Sequence, residues 1–135
     1  MKIIDLFSGV GGLSLGFEQL GFKNILSLDN WQDAIDTYNH NREDKNGLTE
    51  DVRVFKVEQL SSLTKEHDIV GILGGPPCQG FSSARLSDTT ENNLKTNLDR
   101  NNLVFDFIDI IRKVKPSFFV IENVRGLLNI QKGNF

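Results

Sequence analysis

The chain has 135 residues, 39% of them hydrophobic and 24% charged, with a net charge of −3 and a single cysteine. This is the composition of one soluble globular domain, and no apolar run reaches the roughly 18 residues that a membrane-spanning helix needs. Strong binding of DNA by this chain alone is not expected, because affinity for a polyanion comes largely from Lys and Arg.

The amino terminus, the cysteine and the histidines narrow the possibilities further. Asp5 interrupts the apolar stretch that a secretory signal would need, so a cytoplasmic protein is expected. One cysteine excludes an internal disulfide and a cysteine-based zinc site. His40 and His67 lie far apart in sequence and lack the spacing of metal ligands, so no metal is expected.

Apolar runs alternate with amphipathic stretches, which is typical of βαβ units and a parallel sheet. In chain order we expect a strand at 2–7, a helix at 13–20, a strand at 24–28, a helix at 31–41, a loop at 42–51, strands at 52–57 and 69–73, a loop at 82–102, a helix at 103–113 and a strand at 117–121. The sequence therefore predicts one α/β domain, residues 1–135, with a mainly parallel sheet and helices on both faces. Such a sheet normally continues for another strand or two, so we expect the domain to be incomplete at its C-terminus.

Three glycines, Gly9, Gly11 and Gly12, lie between the first expected strand and the first helix. In that position glycines allow a tight turn and let a ligand approach the backbone at the carboxyl ends of the strands. The match to the dinucleotide-binding pattern G-x-G-x-x-G is incomplete, because Ser14 occupies the third glycine position. The turn indicates either a nucleoside site or simply the start of a helix.

An acid follows the second expected strand. Asp29 lies 20 residues after Gly9, where a carboxylate can accept both ribose hydroxyls of an adenosine. Asn30 or Trp31 could then lie against the adenine. The alternative is that Asp29 caps the next helix, and the pattern does not separate a nicotinamide cofactor from S-adenosylmethionine.

The only cysteine lies in the segment Gly74-Gly75-Pro76-Pro77-Cys78-Gln79-Gly80-Phe81-Ser82, directly after the fourth expected strand. A lone cysteine is usually a small buried hydrophobic residue. Two prolines before it stiffen the backbone and keep it out of a helix, and the flanking glycines leave room for a ligand. This setting favours a reactive thiol at the carboxyl edge of the sheet.

Glu122 and Asn123 come after the fifth expected strand, whose residues Phe119, Val120 and Ile121 are apolar. The ends of neighbouring strands meet at one edge of a parallel sheet. Either Glu122 caps the segment after the strand, or a carboxyl, the Cys78 thiol and the nucleoside site share one crevice.

Four blocks, taken in order, resemble the cytosine C5 DNA methyltransferase family. They are residues 5–12, similar to its cofactor motif, residues 75–82, similar to its catalytic P-C-Q motif, residues 99–103 with Phe105, similar to the block that opens the intervening helix, and Glu122-Asn123-Val124, similar to its E-N-V motif. The resemblance covers essentially the whole chain. It implies a Rossmann-like S-adenosylmethionine-dependent methyltransferase fold.

The resemblance also implies a reaction. Cys78 would attack C6 of a flipped-out cytosine, and Glu122, with Asn123 beside it, would protonate or hydrogen-bond N3 while a methyl group passes to C5. Gln79, Ser82 and Arg100 would contact the duplex DNA. The loop at 83–102 would close over the flipped base.

The cofactor implied by the resemblance is S-adenosyl-L-methionine, leaving as S-adenosyl-L-homocysteine, with no metal. Its expected contacts are Phe7, Gly9, Gly11, Gly12, Asp29, Asn30, Trp31, Val57, Pro77 and Leu103. The family usually places an Asp-Ile-like pair after its third strand to read the adenine edge. Lys56-Val57 and Asp51-Val52 are both candidates here, and we favour Val57.

The family's later blocks, which include its target-recognition region, are not found in these residues. We therefore expect a truncated product, a fragment or one subunit of a split enzyme with a complementary chain, and weak or no DNA methylation by this chain alone. Three rival hypotheses are a nicotinamide-dependent oxidoreductase, a methyltransferase directed at tRNA, and an inactive cofactor-binding module. The oxidoreductase leaves P-P-C-Q and E-N-V unexplained, and Gly80-Phe81-Ser82 looks more like the DNA enzymes.

Overall fold

The computed structural model describes residues 1–55, 57–77 and 91–123, except for the side chains of residues 57, 58 and 91–102. In chain order its elements are β1 (Lys2–Leu6), α1 (Gly12–Gln19), β2 (Lys23–Asp29), α2 (Gln32–His40), β3 (Gly47–Thr49), α3 (Val57–His67), β4 (Ile69–Gly74), α4 (Glu91–Val114) and β5 (Phe118–Ile121). The strands described form one sheet in the order β3-β2-β1-β4-β5, and all four pairings are parallel. The predicted α/β fold with a parallel sheet is confirmed.

The order of the strands creates a crevice in the middle of the sheet. The chain winds outward from β1 to β3 and then returns to place β4 on the other side of β1. Adjacent loops part at such a reversal, so ligands bind outside the carboxyl ends of the two central strands. Leu6, the last residue of β1, lies beside Leu28 of β2 and Gly74 of β4.

Alternation along β1 sends side chains to two different layers. Ile4 and Leu6 are fully buried in a core cluster that includes Leu60 of α3 and Phe107 of α4. Asp5 is directed to the opposite face, where Ser14 of α1 influences its carboxyl. The sheet is therefore covered on both faces, as the near-continuous apolar run of β1 requires.

The third strand is displaced from its predicted position at 52–57. It is Gly47–Thr49, within the segment predicted to be a loop, and residues 52–55 instead form a turn in which the N–H groups of Val54 and Phe55 donate to the carbonyl of Asp51 at 2.9 and 3.0 Å. The alternation of Val52 and Val54 was misleading, because Val52 packs into the core from the turn.

Close packing against α2 explains why so polar a segment forms β3. A Cβ on Gly47 would lie 2.8 Å from the ring of Tyr38, so the glycine lets the strand approach this helix. Two hydrogen bonds then fix the contact, since the Gly47 N–H donates to Asn39 Oδ1 at 2.9 Å and the Asn39 amide donates to the Gly47 carbonyl at 3.0 Å.

Two helical stretches were not predicted. The helix α3 begins at Val57, the last residue of the strand predicted at 52–57, and otherwise occupies residues for which the sequence suggested no element. The helix α4 begins at Glu91 rather than at Leu103. The predicted loop is therefore wrong for residues 91–102, and residues 82–90 lie outside the described part. Leu103 and Phe107 anchor α4 in the core, and a helix once nucleated extends at little cost even through polar residues.

The outer edge of β5 is unpaired within the described residues, where β4 is its only neighbour. Beside it lies a groove of about 430 Å³ between α4 and β5, lined almost entirely by apolar side chains, among them Ile108, Ile111 and Phe119. Phe119 is 54% exposed.

Among the described residues, no helix has the length and apolar character to cross a membrane.

Candidate active site

The turn after β1 has an unusual backbone. Phe7, Gly9 and Gly11 all have positive φ angles, of 59°, 54° and 85°. Glycine tolerates this conformation, whereas Phe7 adopts it at an energetic cost. The turn directs the Gly9 N–H toward β2, where it donates to Asp29 Oδ2 at 2.8 Å.

Asp29 connects this turn to the start of α2. Its Oδ1 accepts a hydrogen bond from the Trp31 N–H at 2.9 Å while its Oδ2 holds Gly9. The predicted alternative, in which Asp29 caps α2, is wrong: the N-cap residue of α2 is Trp31, and no side chain caps this helix by hydrogen bonding. Asn30 is exposed and Trp31 is 63% exposed, so neither is covered by the described residues at the carboxyl edge of the sheet.

Glu122 and Asn123 lie beside the loop that leads to the cysteine. The Glu122 N–H continues the β4–β5 pairing by donating to the Gly74 carbonyl at 2.9 Å. Its carboxylate approaches the backbone of Gly75, since a Cβ built on that glycine would lie 3.5 Å from Glu122 Oε2. The Asn123 amide donates to the Pro76 carbonyl at 3.0 Å, so Asn123 braces the proline loop.

The predicted site residues are brought together only in part. Phe7, Gly9, Gly11, Gly12, Asp29, Asn30, Trp31 and Pro77 follow or end strands at the carboxyl edge, as do Glu122 and Asn123. Leu103 is on α4, 8% exposed and packed in the core. Cys78, Gln79 and Ser82 lie outside the described residues, as does the side chain of Arg100, whose backbone is part of α4.

Val57, predicted to end the third strand, instead begins α3. Asp51 and Val52 come one residue after β3, separated from it by Glu50. The Glu50 N–H donates to the Asp29 carbonyl at 2.9 Å, which brings this segment to the end of β2. The Arg53 guanidinium hydrogen-bonds Asp51 and holds the pKa of that carboxyl below its ordinary value. Asp51-Val52 is thus the pair in the position that the sequence assigned to Lys56-Val57.

Asp5 is a buried carboxyl behind the turn. Burial raises its pKa from the ordinary 3.8 to about 6, opposed in part by Ser14 and the more distant charge of Arg42, while Glu18 adds to the rise. The Ser14 hydroxyl donates a hydrogen bond to the Gly11 carbonyl at 3.3 Å. Among the described residues, neither Asp5 oxygen has a hydrogen bond of good geometry. Burial therefore lets Asp5 keep its proton up to about pH 6, well above the pH at which an exposed aspartate loses it.

Replacing Asp5 by Asn should remove a pH dependence of stability. The folded protein retains a proton that the unfolded chain releases above pH 4, so the free energy of unfolding should fall as the pH rises from about 4 to about 6. The loss at pH 7 amounts to about 3 kcal/mol at most. Denaturant titrations at pH 4.5 and 7 should show a smaller difference for Asp5→Asn than for wild type. The exposed control Asp44→Asn should retain the wild-type difference. If Asp5→Asn showed the same difference in the free energy of unfolding as wild type, Asp5 would not be the group responsible.

A charged pair behind the turn was not predicted. Arg42 donates from Nη2 to the Gly11 carbonyl at 3.0 Å and to Glu18 Oε2 at 3.2 Å. These partners are 31 and 24 residues away in sequence, and no local pattern signals such contacts. Only the topology, which returns the chain past α1 after α2, places them together.

A polar groove of about 690 Å³ also lies next to the turn. Besides Gly11 and Gly12, it is lined by Lys23 and Asn24, at the amino-terminal end of β2, and by Asn46 before β3. It is therefore not the crevice at the carboxyl ends, where Asp29 and Glu122 lie. The described residues hold no group of three or more His, Cys, Asp or Glu side chains that could bind a metal ion.

Comparison with known proteins yields consistent matches. The family model of C-5 cytosine-specific DNA methylases matches residues 1–135. The chain is 42% identical over 127 residues to the Type II methyltransferase M.HgiDI of Herpetosiphon aurantiacus, covering 92% of this chain and 37% of that protein. It is 41% identical over 124 residues to M.HgiGI of the same organism, covering 92% of this chain and 90% of that protein.

Solved structures agree with these matches. A protein described as a DNA modification methyltransferase, encoded within an E. coli prophage, superposes with a TM-score of 0.77 at 37% identity, covering 97% of this chain and 34% of its own. The Dnmt2 methyltransferase of S. pombe superposes with a TM-score of 0.72 at 18% identity, covering 98% and 37%, and shows the fold alone. The chain spans about a third of the length of most of these proteins.

Proposed function

Because the chain belongs to the C-5 cytosine-specific DNA methylase family, we propose that it forms the cofactor-binding and nucleophile-bearing part of an enzyme that methylates C5 of cytosine in DNA. The observation that carries this proposal is the meeting of three features at one edge of the sheet. The glycine turn with Asp29, the proline loop that leads to Cys78, and Glu122 follow four neighbouring strands. The relatives at 42% and 41% identity are named Type II methyltransferases, which favours DNA over tRNA and a place in restriction–modification.

The residues at the glycine turn fit S-adenosyl-L-methionine. A Cβ on Gly9 or Gly12 would meet nothing within 4 Å, so the backbone of the turn is open to a ligand. Asp29 offers a carboxylate to the ribose, and the exposed Trp31 ring offers a face to the adenine. We assign the adenine edge to Asp51-Val52 in place of Val57, and the methionine end to Pro77. When bound, this cofactor supplies an electrophilic methyl group.

Cys78 provides the nucleophile in the proposed reaction. Cytosine C5 is a poor nucleophile by itself, and addition of the Cys78 thiolate to C6 gives C5 the character of an enamine carbon. After C5 has gained the methyl group, loss of its proton to a base and expulsion of the thiolate from C6 restore the aromatic ring. The thiol must be ionised at some point before attack, because the thiolate is the reactive form.

Glu122 stabilises the cytosine ring after Cys78 has added to C6, by acting at N3. Electron density released by addition at C6 would build up on N3, and a carboxyl that protonates or hydrogen-bonds N3 offsets it.

Asn123 positions the loop, because its bond to the Pro76 carbonyl ties the end of β5 to the residues that precede Cys78. The target carbon is inaccessible inside a duplex, so the cytosine must be flipped into the crevice. Gln79, Ser82 and Arg100 are the proposed contacts to DNA.

Activity in this proposal needs a further part of the domain, in the same polypeptide or in a complementary chain. Support comes from the edge of β5, which is unpaired among the described residues, and from the apolar groove beside α4, which together fit an added strand with its helix. Because the chain has a net charge of −3, strong binding of DNA also needs a more basic region. Residues 1–135 alone should therefore bind the cofactor yet transfer methyl groups to duplex DNA weakly or not at all.

Binding of S-adenosylhomocysteine by this chain tests the proposal. Wild type should bind it, and Asp29→Asn should bind about 10- to 100-fold more weakly, because the amide loses the charge-assisted bonds to the ribose hydroxyls. Asparagine retains an acceptor oxygen for Gly9 or Trp31, which limits damage to the fold. Calorimetric titration measures the affinity, with Asp33→Asn on the exposed face of α2 as the matched control. Equal affinity of Asp29→Asn and wild type would contradict the assignment, and tighter binding of NADH than of S-adenosylhomocysteine would favour an oxidoreductase.

A further inference from the structure

Arg42 lies behind the glycine turn and holds its backbone. Its Nη2 donates to the Gly11 carbonyl at 3.0 Å, and its Nη1 lies 3.5 Å from the Val10 carbonyl. Its Nε and Nη2 reach Glu18 Oε2 at 3.3 and 3.2 Å. The guanidinium carbon stacks 3.9 Å from the centre of the Tyr38 ring. One side chain thus joins the turn, α1 and α2.

This pair differs from an ordinary surface ion pair. The side chains of Arg42 and Glu18 are 14% and 26% exposed, whereas those of Lys23 and Asp44, 3.6 Å apart, are 63% and 60% exposed. An exposed pair is screened by water and adds little to stability. A guanidinium with so little contact with water needs its donors satisfied, so the carbonyls of the turn and Glu18 fix its geometry.

The turn needs support of this kind. Gly11 is the N-cap of α1 at φ 85°, and no side chain caps the helix by hydrogen bonding. Asp29 holds the turn by the Gly9 N–H on the side of the proposed cofactor site. Arg42 holds it by two carbonyls, and the Arg42 side chain lines the polar groove rather than the crevice at the carboxyl ends.

We propose that Arg42 is a positioning residue for the cofactor: it fixes the glycine turn in its binding conformation from behind, without touching the ligand itself. The inference rests on the proposed function, because it assigns the turn to S-adenosylmethionine. A turn already held in its bound conformation loses less conformational entropy on binding, and this raises affinity. The fit of the parts is close, since a Cβ on Gly11 would lie 2.8 Å from Arg42 Nη1 and 2.6 Å from the Tyr38 ring.

Titration of S-adenosylhomocysteine into variants of the full chain tests the proposal. Arg42→Ala should bind about tenfold more weakly than wild type, because the two carbonyls lose a charged donor. Arg42→Lys should fall between them, since a single ammonium cannot serve Glu18 and both carbonyls in the planar geometry of a guanidinium. Lys23→Ala breaks the exposed Lys23–Asp44 ion pair at the same polar groove, and this variant should bind S-adenosylhomocysteine as wild type does. A wild-type affinity in Arg42→Ala would overturn the proposal and leave the proposed function intact.

Amide hydrogen exchange in the ligand-free protein provides a second readout that does not depend on the cofactor. The Gly11 N–H is bonded to the Ser8 carbonyl at 2.8 Å, and the Leu15 N–H to the Gly11 carbonyl at 3.1 Å. Both amides should exchange about tenfold faster in Arg42→Ala and at the wild-type rate in Lys23→Ala. If wild type fails to bind S-adenosylhomocysteine, the proposed function fails, and unchanged exchange at these amides would separately overturn the role of Arg42. A purely structural role would lower the free energy of unfolding while affinity and local exchange stayed at wild-type values.

Discussion

Replacement of Cys78 by alanine is expected to abolish methyl transfer, with a loss on the order of 10⁴-fold or more, because no other thiol in the chain can add to C6. In an active preparation that includes the rest of the domain, duplex DNA containing 5-fluorocytosine should trap wild type as a covalent adduct. Fluorine at C5 cannot leave as a proton does, so the thiolate remains attached. Denaturing electrophoresis or intact-mass measurement should show this adduct for wild type and none for Cys78→Ala.

Controls for this prediction use the single cysteine. Cys78→Ala should retain S-adenosylhomocysteine binding, which shows that the cofactor part is folded. Within residues 1–135 iodoacetamide can alkylate only Cys78, so when the alkylated chain is combined with the untreated rest of the domain, activity should fall in step with the mass increase of the chain. An adduct that forms in Cys78→Ala would disprove the assignment of the nucleophile.

Substitution of Glu122 by glutamine is expected to lower kcat by about 10²- to 10⁴-fold, the usual range for loss of a general acid. Glutamine has the same shape and retains the backbone N–H bond to the Gly74 carbonyl, so the end of β5 should be undisturbed. The variant loses the proton that a carboxyl can give to N3. Single-turnover rates of methyl transfer measure the effect.

The matched control is Glu66→Gln, which changes an exposed carboxylate near the end of α3, before the amino-terminal end of β4 and not at the carboxyl ends of the strands. It should leave the rate unchanged, and both variants should bind S-adenosylhomocysteine with wild-type affinity. A rate for Glu122→Gln within about threefold of wild type would show that N3 is stabilised by another group.

The elements that the sequence predicted well are those whose side chains are buried in a regular pattern. β1, β2, β4 and β5 lie within one or two residues of their predicted bounds, because buried parallel strands are short apolar runs bounded by glycine or polar residues. α1 and α2 were predicted equally well from their apolar spacing. The position of Asp29 at the end of β2 is a direct result of these elements.

The misplaced elements have little local signal of their own. β3 is three residues long and includes Gly47, so its pairing depends on contact with α2. Among the side chains of α3 that the structure describes, Leu60 and Leu63 pack against the core, and the serines and charges of this helix gave no clear apolar face. The Arg42 contacts depend on the return of the chain after α2. The position of β3, the formation of α3 and the contacts of Arg42 all depend on tertiary packing, which local sequence patterns do not reveal.

The outer edge of β5, which has no partner strand within the part of the chain that the structure describes, bears on the handling of residues 1–135 as an isolated polypeptide. Its sequence, Phe118-Phe119-Val120-Ile121, has high β-propensity and contains neither a charge nor a proline to discourage a second strand from pairing. Natural proteins protect such edges, and an unprotected one is a template for aggregation. Poor solubility on expression would then come from the surface that is proposed to receive a further part of the domain, and coexpression with that part should restore solubility.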